Sequence, residues 1–338
     1  MKLSIIIPAY NVEKYIQRCL SSVVSQDIPL NEYEIIIIDD GSKDLTLQIV
    51  EEWGRKYNNI RIFTQQNSGQ SAARNFALTK ATGEYVFFID ADDKIEPNVL
   101  NNLTQLAKGN DLDILRFMLF NSSYDTFHGK SYKVYNGADF VVYCDGIWSP
   151  CIQFFKREFL ISNEFYFKAG ITSEDAELLP RVYLKASKAM AINIPVYYYL
   201  YNPDSTTKDT KYEMQRLKKR LNSQLIVLKT NITLCNEFKD NIGVKNTIYQ
   251  SVIYPTFTAF CMMIFFSQMP FNSAKKYQEV YLNSREYPIN VNPQSTFKHK
   301  TMFRIMNSRL LFNLYYFLLF KTINFKFKKF ISPKPDIV

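Results

Sequence analysis

Metal-binding and disulfide chemistry have little to work with in this chain. Its two histidines, His128 and His299, are too few and too far apart for a histidine-based metal centre, although one of them can supply a single ligand. The five cysteines (Cys19, Cys144, Cys151, Cys235, Cys261) are odd in number and show no Cys-x-x-Cys spacing. That argues against a disulfide framework or a zinc site, and for packing roles in a reducing compartment. No Gly-x-Gly-x-x-Gly follows an apolar run and no Gly-x-x-x-x-Gly-Lys occurs, so neither a dehydrogenase nor a P-loop enzyme is expected. There is no internal repeat. The opening Leu3–Ile7 is too short for a signal peptide, lacks a cleavage site and reads as a strand. With 47% hydrophobic and 22% charged residues among 338, the chain is globular rather than disordered.

What is present alternates. After the strand Leu3–Ile7, Asn11 reads as the cap of a helix whose apolar face is Val12, Tyr15/Ile16, Cys19/Leu20 and Val23/Val24. Glu34–Ile38 is a second strand, Asp44–Tyr57 a helix, Ile60–Thr64 a third strand, Gly69–Lys80 a helix and Tyr85–Ile89 a fourth strand. Strands alternating with helices of this length make βαβ units and a parallel sheet. Residues 110–205 are less regular, with strands at Asp113–Phe120 and Val196–Tyr201 and a helix near Ser173–Ala186. Asn202–Asp209 reads as an exposed polar loop or lid, and helical patterns dominate from about 211 onward. The expected division is an α/β domain over 1–210, in halves 1–107 and 108–210, followed by a helical region over 211–338.

The fourth strand ends in three carboxylates, Asp90, Asp92 and Asp93. Open α/β sheets bind ligands at the carboxyl ends of their strands. Alternation along an extended segment puts Asp90 and Asp92 on one side and Asp93 on the other. Two convergent carboxylates suit a hard divalent cation, Mg2+ or Mn2+, that completes its shell with phosphate oxygens. A loop of solvated carboxylates, or a cap for the run beginning at Ile95-Glu96-Pro97, is the plainer reading of the same residues.

Five segments occur in order over residues 3–200: Ser4-Ile5-Ile6-Ile7-Pro8-Ala9-Tyr10-Asn11, Ile37-Ile38-Asp39-Asp40-Gly41-Ser42-Lys43-Asp44, Asn67-x-Gly69 with Ala72-Ala73-Arg74-Asn75, Asp90-Ala91-Asp92-Asp93, and Glu174-Asp175. Together they resemble the signature of the family 2 glycosyltransferases, nucleotide-sugar enzymes of the GT-A (Rossmann-like) fold. The resemblance implies donor-site roles for Pro8, Tyr10 and Asn11, with Tyr10 as a core aromatic being the alternative. It implies that Asp40, with Asp39 beside it, accepts the uracil imide N–H. Gly41 and Ser42 let the chain turn and cap the next helix. Arg74 is implied near the base and phosphates, a surface ion pair being the alternative. Asp90 and Ala91 belong to the donor site, Asp92 is the principal metal ligand with Asp90 beside it, and Asp93 orients a neighbour. Asp175 is the implied base that takes the acceptor proton, and Glu174 holds the acceptor or positions Asp175. An acidic first turn of a helix explains the same pair without catalysis. Ser149–Arg157 departs from the aromatic-amide-lysine order of many members, which bears on sugar identity, and Trp148 is either a sugar platform or a core residue.

The basic balance sits at the end of the chain. Residues 298–338 hold nine Lys/Arg against Asp336, so 9 − 1 = 8 of the net charge of +9 lies there. Leu310–Phe320 is apolar, only 11 residues long and flanked by Arg309 and Lys321, which fits an interfacial helix facing anionic lipid. The 29 uncharged residues between Lys245 and Lys275 are interrupted by polar residues, so a buried or interface-facing helix is expected over a span. No nucleic-acid signature accompanies the basic tail.

The expectation is an inverting, metal-dependent glycosyltransferase at the cytoplasmic face of a membrane. It would move one sugar from a nucleotide-sugar, a UDP-sugar first, to a hydroxyl of a glycan or lipid-linked oligosaccharide in bacterial surface polysaccharide synthesis. The Gln-x-x-Arg-Trp motif of polysaccharide synthases is absent, which favours single-sugar addition over processive synthesis. A catalytically silent scaffold that binds nucleotide-sugar, and a sugar-nucleotide pyrophosphorylase, are the rival readings. The second needs a Gly-rich basic loop where Pro8-Ala9-Tyr10-Asn11 stands.

Overall fold

The computed structural model describes residues 1–120, 132–144, 148–200, 202, 214–267, 269–283 and 297–319. His128, residues 203–209 of the polar loop, and Phe320 with the lysines from Lys321 onward lie outside the described residues. The chain forms two compact units, residues 1–211 with 234–252, and residues 212–233 with 253–338.

In the first unit β1 (Leu3–Ala9), α1 (Ile16–Val24), β2 (Tyr33–Asp39), α2 (Thr46–Lys56), β3 (Ile60–Thr64), α3 (Gln70–Lys80) and β4 (Tyr85–Phe88) alternate as the apolar pattern dictates. Then come β5 (Lys94–Ile95), α4 (Leu100–Gly109), β6 (Ile114–Leu119), α5 (Gly137–Tyr143), β7 (Gln153–Lys156), α6 (Arg157–Ser162), α7 (Glu174–Lys185) and β8 (Ala189–Tyr198). The strands form one sheet in the order β3-β2-β1-β4-β7-β6-β8-β5. The four strands β3, β2, β1 and β4 are parallel, and β7 enters antiparallel between β4 and β6. Every residue of β1 and β2 is buried, as strands covered on both faces require. Leu3, Ile5 and Ile7 share a core with Ile16, Cys19, Leu20 and Val23 of α1. Parallel pairing brings the carboxyl ends of β1, β2 and β4 to one edge, and all the acidic turns singled out in the first hundred residues leave from that edge. All five cysteines are buried and none is in a disulfide.

Four local expectations change, the first being that Ser42 does not cap α2, whose N-terminus at Leu45 has no side-chain cap. Asn11 does not cap α1, which starts at Ile16 with no side-chain cap. It adopts a left-handed conformation (φ 51°) instead, which asparagine tolerates better than most residues. The irregular middle contains β7, whose four residues are too few to show a period. The last strand begins at Ala189 rather than Val196, because Pro195 interrupts its pattern where the register against β6 shifts.

At the other end of the sheet a buried carboxylate ties three segments together. Oε1 of Glu34 accepts from Ser4 Oγ, Thr82 N and Thr82 Oγ1, each at 2.7 Å, and Oε2 pairs with Arg61. Burial pushes this carboxyl up, but the donors from Thr82, Ser4 and Arg61 outweigh it and hold the group below the usual range. Glu34→Gln keeps the acceptor and loses the charge facing Arg61, an expected cost of about 1.5–3 kcal/mol at pH 7. A group held low in the folded state adds stability above its unfolded value of about 4.3, and that stability fades as pH falls through the folded value. Urea unfolding of wild type and variant should therefore differ at pH 7 and converge as the pH falls through the folded value, which lies below the unfolded value of about 4.3.

The second unit is helical: the first twenty residues of α8 (Met214–Glu237), then α10 (Tyr254–Phe266), α11 (Phe271–Asn283), α12 (Phe297–Met306) and α13 (Arg309–Leu319). The end of α8 and α9 (Ile242–Ile248) belong to the first unit. Phe257 stacks on Tyr281 at 4.7 Å and meets Phe303 edge-on at 4.7 Å. The stretch Ile242–Phe265 is long and apolar enough to cross a membrane by length and composition. Within it Phe257, Phe260, Cys261 and Ile264 are buried, the pattern of a helix with one face in a core. On α13 Phe312 and Tyr316 are buried, while Leu310, Leu311 and Leu314 are exposed.

Candidate functional site

The chain after β4 turns at once. Asp93 N donates to Asp90 O at 3.0 Å, closing a tight turn. The segment is therefore not extended, and simple alternation does not decide where its carboxylates go. Asp93 is buried, accepting from the Tyr197 hydroxyl at 2.6 Å and from Leu200 N at 2.8 Å. The same hydroxyl accepts from Asp90 N at 3.1 Å. Burial pushes the Asp93 carboxyl up to about 7 against these two donors. Asp93 thus braces the turn through Tyr197, a residue that nothing in its local sequence singles out.

Asp90 and Asp92 remain partly exposed. Gln70 Nε2 and Arg74 both donate to Oδ1 of Asp90 at 2.7 Å, and Asn202 Nδ2 donates to Oδ2 of Asp92 at 2.7 Å. Arg18 holds the Asp92 carbonyl at 2.7 Å. No protein donor among the described residues takes Oδ2 of Asp90 or Oδ1 of Asp92. Two hard oxygens in one turn that no described residue takes fit Mn2+ or Mg2+ held by these two residues. Among the described residues no three metal-ligating side chains gather, so such a cation would complete its shell with diphosphate oxygens and water.

At the end of β2 the two aspartates divide their work. Asp40 accepts from Gln65 Nε2 (2.7 Å), Ser68 N (2.8 Å) and Gly69 N (2.7 Å), and is consumed in shaping the 65–69 loop. Asp39 is only 2% exposed; its Oδ2 accepts from Ser42 N at 3.2 Å, while its buried Oδ1 has no partner among the described residues. An orphaned carboxylate oxygen is costly unless a ligand donor meets it. Of the two aspartates, Asp39 is the one that keeps an oxygen not spent on any described residue. Gly41 follows with φ 75°, and a Cβ there would lie 3.1 Å from Asn67 N, so the turn needs glycine twice over.

The turn after β1 closes on the same edge. Asn11 N donates to Ser42 Oγ at 3.1 Å, and Asn11 Oδ1 accepts from Lys43 N at 2.8 Å. Pro8 is buried in β1, whereas Tyr10 is 44% exposed, which excludes the core-aromatic alternative. Ala91 is buried within the Asp90 turn.

Arg74, on α3, is not a surface residue. It is 3% exposed and donates to Asp90 Oδ1 at 2.7 Å and to Glu174 Oε1 at 3.1 Å. Ser173, left-handed at φ 63°, starts α7, so Glu174 and Asp175 occupy its first turn. Burial, and then the neighbouring Glu174 charge, push the Asp175 carboxyl up to about 6. Near neutral pH it is ionised yet close to the value at which a carboxylate is most useful as a base. Gln70 is not singled out in the sequence, and Asn75 stands in the third motif without a role. Gln70 holds Asp90, and Asn75 clamps Phe167 through Nδ2 to its carbonyl (2.8 Å) and Oδ1 from its N–H (2.9 Å). Trp148, half-buried, packs 5.2 Å from Tyr183 and donates to Ser251 Oγ at 3.0 Å, and Gln153 is buried.

The family model for glycosyl transferase family 2 matches residues 4–187, more than half of the chain. The chain belongs to this family. It is 34% identical over 216 residues to a poly(ribitol-phosphate) beta-glucosyltransferase of Bacillus spizizenii, covering 63% of this chain and 34% of that protein. It is 31% identical to the glycosyltransferase GlyG of Streptococcus pneumoniae over 216 residues, covering 58% of this chain and 70% of GlyG. The chain thus spans about a third of the first relative's length. Residues 1–349 of Staphylococcus aureus TarS, solved in complex with UDP, superpose with a TM-score of 0.67 at 21% identity, covering 100% of this chain and 94% of that one. The fold of this family 2 glycosyltransferase is accordingly GT-A, with a helical region after residue 214.

Proposed function

We propose that the chain is an inverting glycosyltransferase that moves one sugar from a UDP-sugar to an acceptor hydroxyl. The observation that carries this reading is the set of groups at the carboxyl ends of β2 and β4, the Oδ1 of Asp39 and the oxygens of Asp90 and Asp92 that no described residue takes, with Arg74 joining Asp90 to Glu174, the residue before Asp175. Asp39 would accept the uracil imide N–H, with the exposed Tyr10 ring beside it as a face for the base. Pro8 and Asn11 shape that turn. A bound Mn2+ or Mg2+, held by Asp90 and Asp92, would neutralise the leaving diphosphate. The acceptor oxygen attacks the anomeric carbon, the bond to the diphosphate breaks on the opposite face, and Asp175 takes the hydroxyl proton. The UDP in the TarS structure supports a uridine donor. The acceptor is a glycan or lipid-linked oligosaccharide, and the first relative's name adds a ribitol-phosphate polymer to those worth assaying.

The exposed Leu310, Leu311 and Leu314 on α13, with the lysine-rich sequence beyond them, support a peripheral position on an anionic membrane at its cytoplasmic face. A thermal-shift screen of nucleoside diphosphates tests the donor reading. UDP with Mn2+ is expected to raise the melting temperature, and Asp92→Ala to remove the Mn2+ requirement together with most of the shift. A larger response to GDP moves the donor, and no response to any nucleotide removes the reading.

A further inference from the structure

Side chains from the first two turns of α3 reach three other parts of the first unit. Gln70 and Arg74 converge on Oδ1 of Asp90, Arg74 also holds Glu174 at 3.1 Å, and Asn75 clamps Phe167. The Phe167 ring lies 5.1 Å from the Arg74 guanidinium and edge-on to Phe88 at 5.3 Å. Phe88 ends β4, two residues before Asp90. The guanidinium is thus fixed on one face by a clamped ring and at its fork by two carboxylates, 16 and 100 residues away in the chain.

This arrangement is stiff for a physical reason. Burying a guanidinium is costly, and its ion pairs offset that cost only while both acceptors stay in place. The planar fork also fixes the angle between its partners, which an ammonium does not. A shift of Asp90 is therefore felt at Glu174, and Glu174 is the residue before Asp175.

We propose that Arg74 is a positioning residue that ties the orientation of Glu174–Asp175 to that of Asp90. A nucleoside diphosphate bound beside Asp90 then orders the first turn of α7 and aims its carboxylate at the acceptor. The inference rests on the donor and base assignments above. Arg74 touches no reacting atom in this role and acts through Glu174.

Amide hydrogen exchange on the full chain tests it, with and without UDP plus Mn2+, in wild type, Arg74→Lys and Glu174→Ala. In all three, UDP is expected to slow exchange at residues 65–70, beside Asp39 and Asp40. In wild type it is also expected to slow residues 175–179, by about tenfold. Arg74→Lys retains charge but not the fork, so its slowing at 175–179 falls to less than about half of the wild-type effect. Glu174 starts a helix and is partly exposed, so Glu174→Ala reports even if the variant at the buried arginine does not fold. Slowing at 175–179 that is equal in wild type and Glu174→Ala overturns the proposal. So does wild-type slowing confined to 65–70. Absence of any response at 65–70 removes the donor reading itself, and the proposal with it.

Discussion

Asp175→Asn is expected to lower sugar transfer by roughly 10²–10⁴-fold, the usual contribution of a positioned general base. UDP binding in the presence of Mn2+ should stay within about twofold of wild type, because no donor-side residue is altered. The amide matches the carboxylate in shape but cannot take the acceptor proton. The pH profile adds an independent check. Burial and the Glu174 charge push the Asp175 carboxyl up to about 6, and only its ionised form acts as a base. Wild-type transfer at saturating donor should therefore be flat above about pH 7 and fall about tenfold per pH unit below 6. An unperturbed carboxylate would place that limb near pH 4. Undiminished transfer by Asp175→Asn would take the base assignment away from this residue.

The two aspartates at the end of β2 should respond in opposite ways. Asp40→Ala leaves Gln65 Nε2, Ser68 N and Gly69 N without their acceptor. The expected loss is about 3–5 kcal/mol of stability, by the cost of buried donors left unpaired. Asp39→Ala removes only the long bond to Ser42 N and an oxygen that already lacked a partner. Its melting temperature should move little, while UDP affinity falls about 10- to 150-fold, the worth of one charge-assisted hydrogen bond. Thermal unfolding and UDP titration on both variants separate the two roles. A UDP affinity unchanged in Asp39→Ala would exclude this oxygen as the nucleobase acceptor.

The sequence by itself determined the elements of the first ninety residues and which turns share an edge. Short, β-branched apolar runs such as Ile35-Ile36-Ile37-Ile38 read as strands covered on both faces, and parallel strands present their carboxyl ends together. It also determined that Glu174 and Asp175 begin a helix, and that α13 carries an apolar face next to a basic sequence. Tertiary structure decided the partners. Whether Asp39 or Asp40 is spent on the 65–69 loop, whether Arg74 faces solvent or is buried, and which hydroxyl braces Asp93 depend on residues 16 to 107 positions away. Local pattern reports how a residue sits relative to its own helix or strand. A short strand such as β7 is too brief to carry a period, and the left-handed Asn11 looks like a helix cap until packing shows where its side chain goes. The assignment of each carboxylate in the site is made by long-range contacts, because burial and donor supply set what an oxygen is free to do.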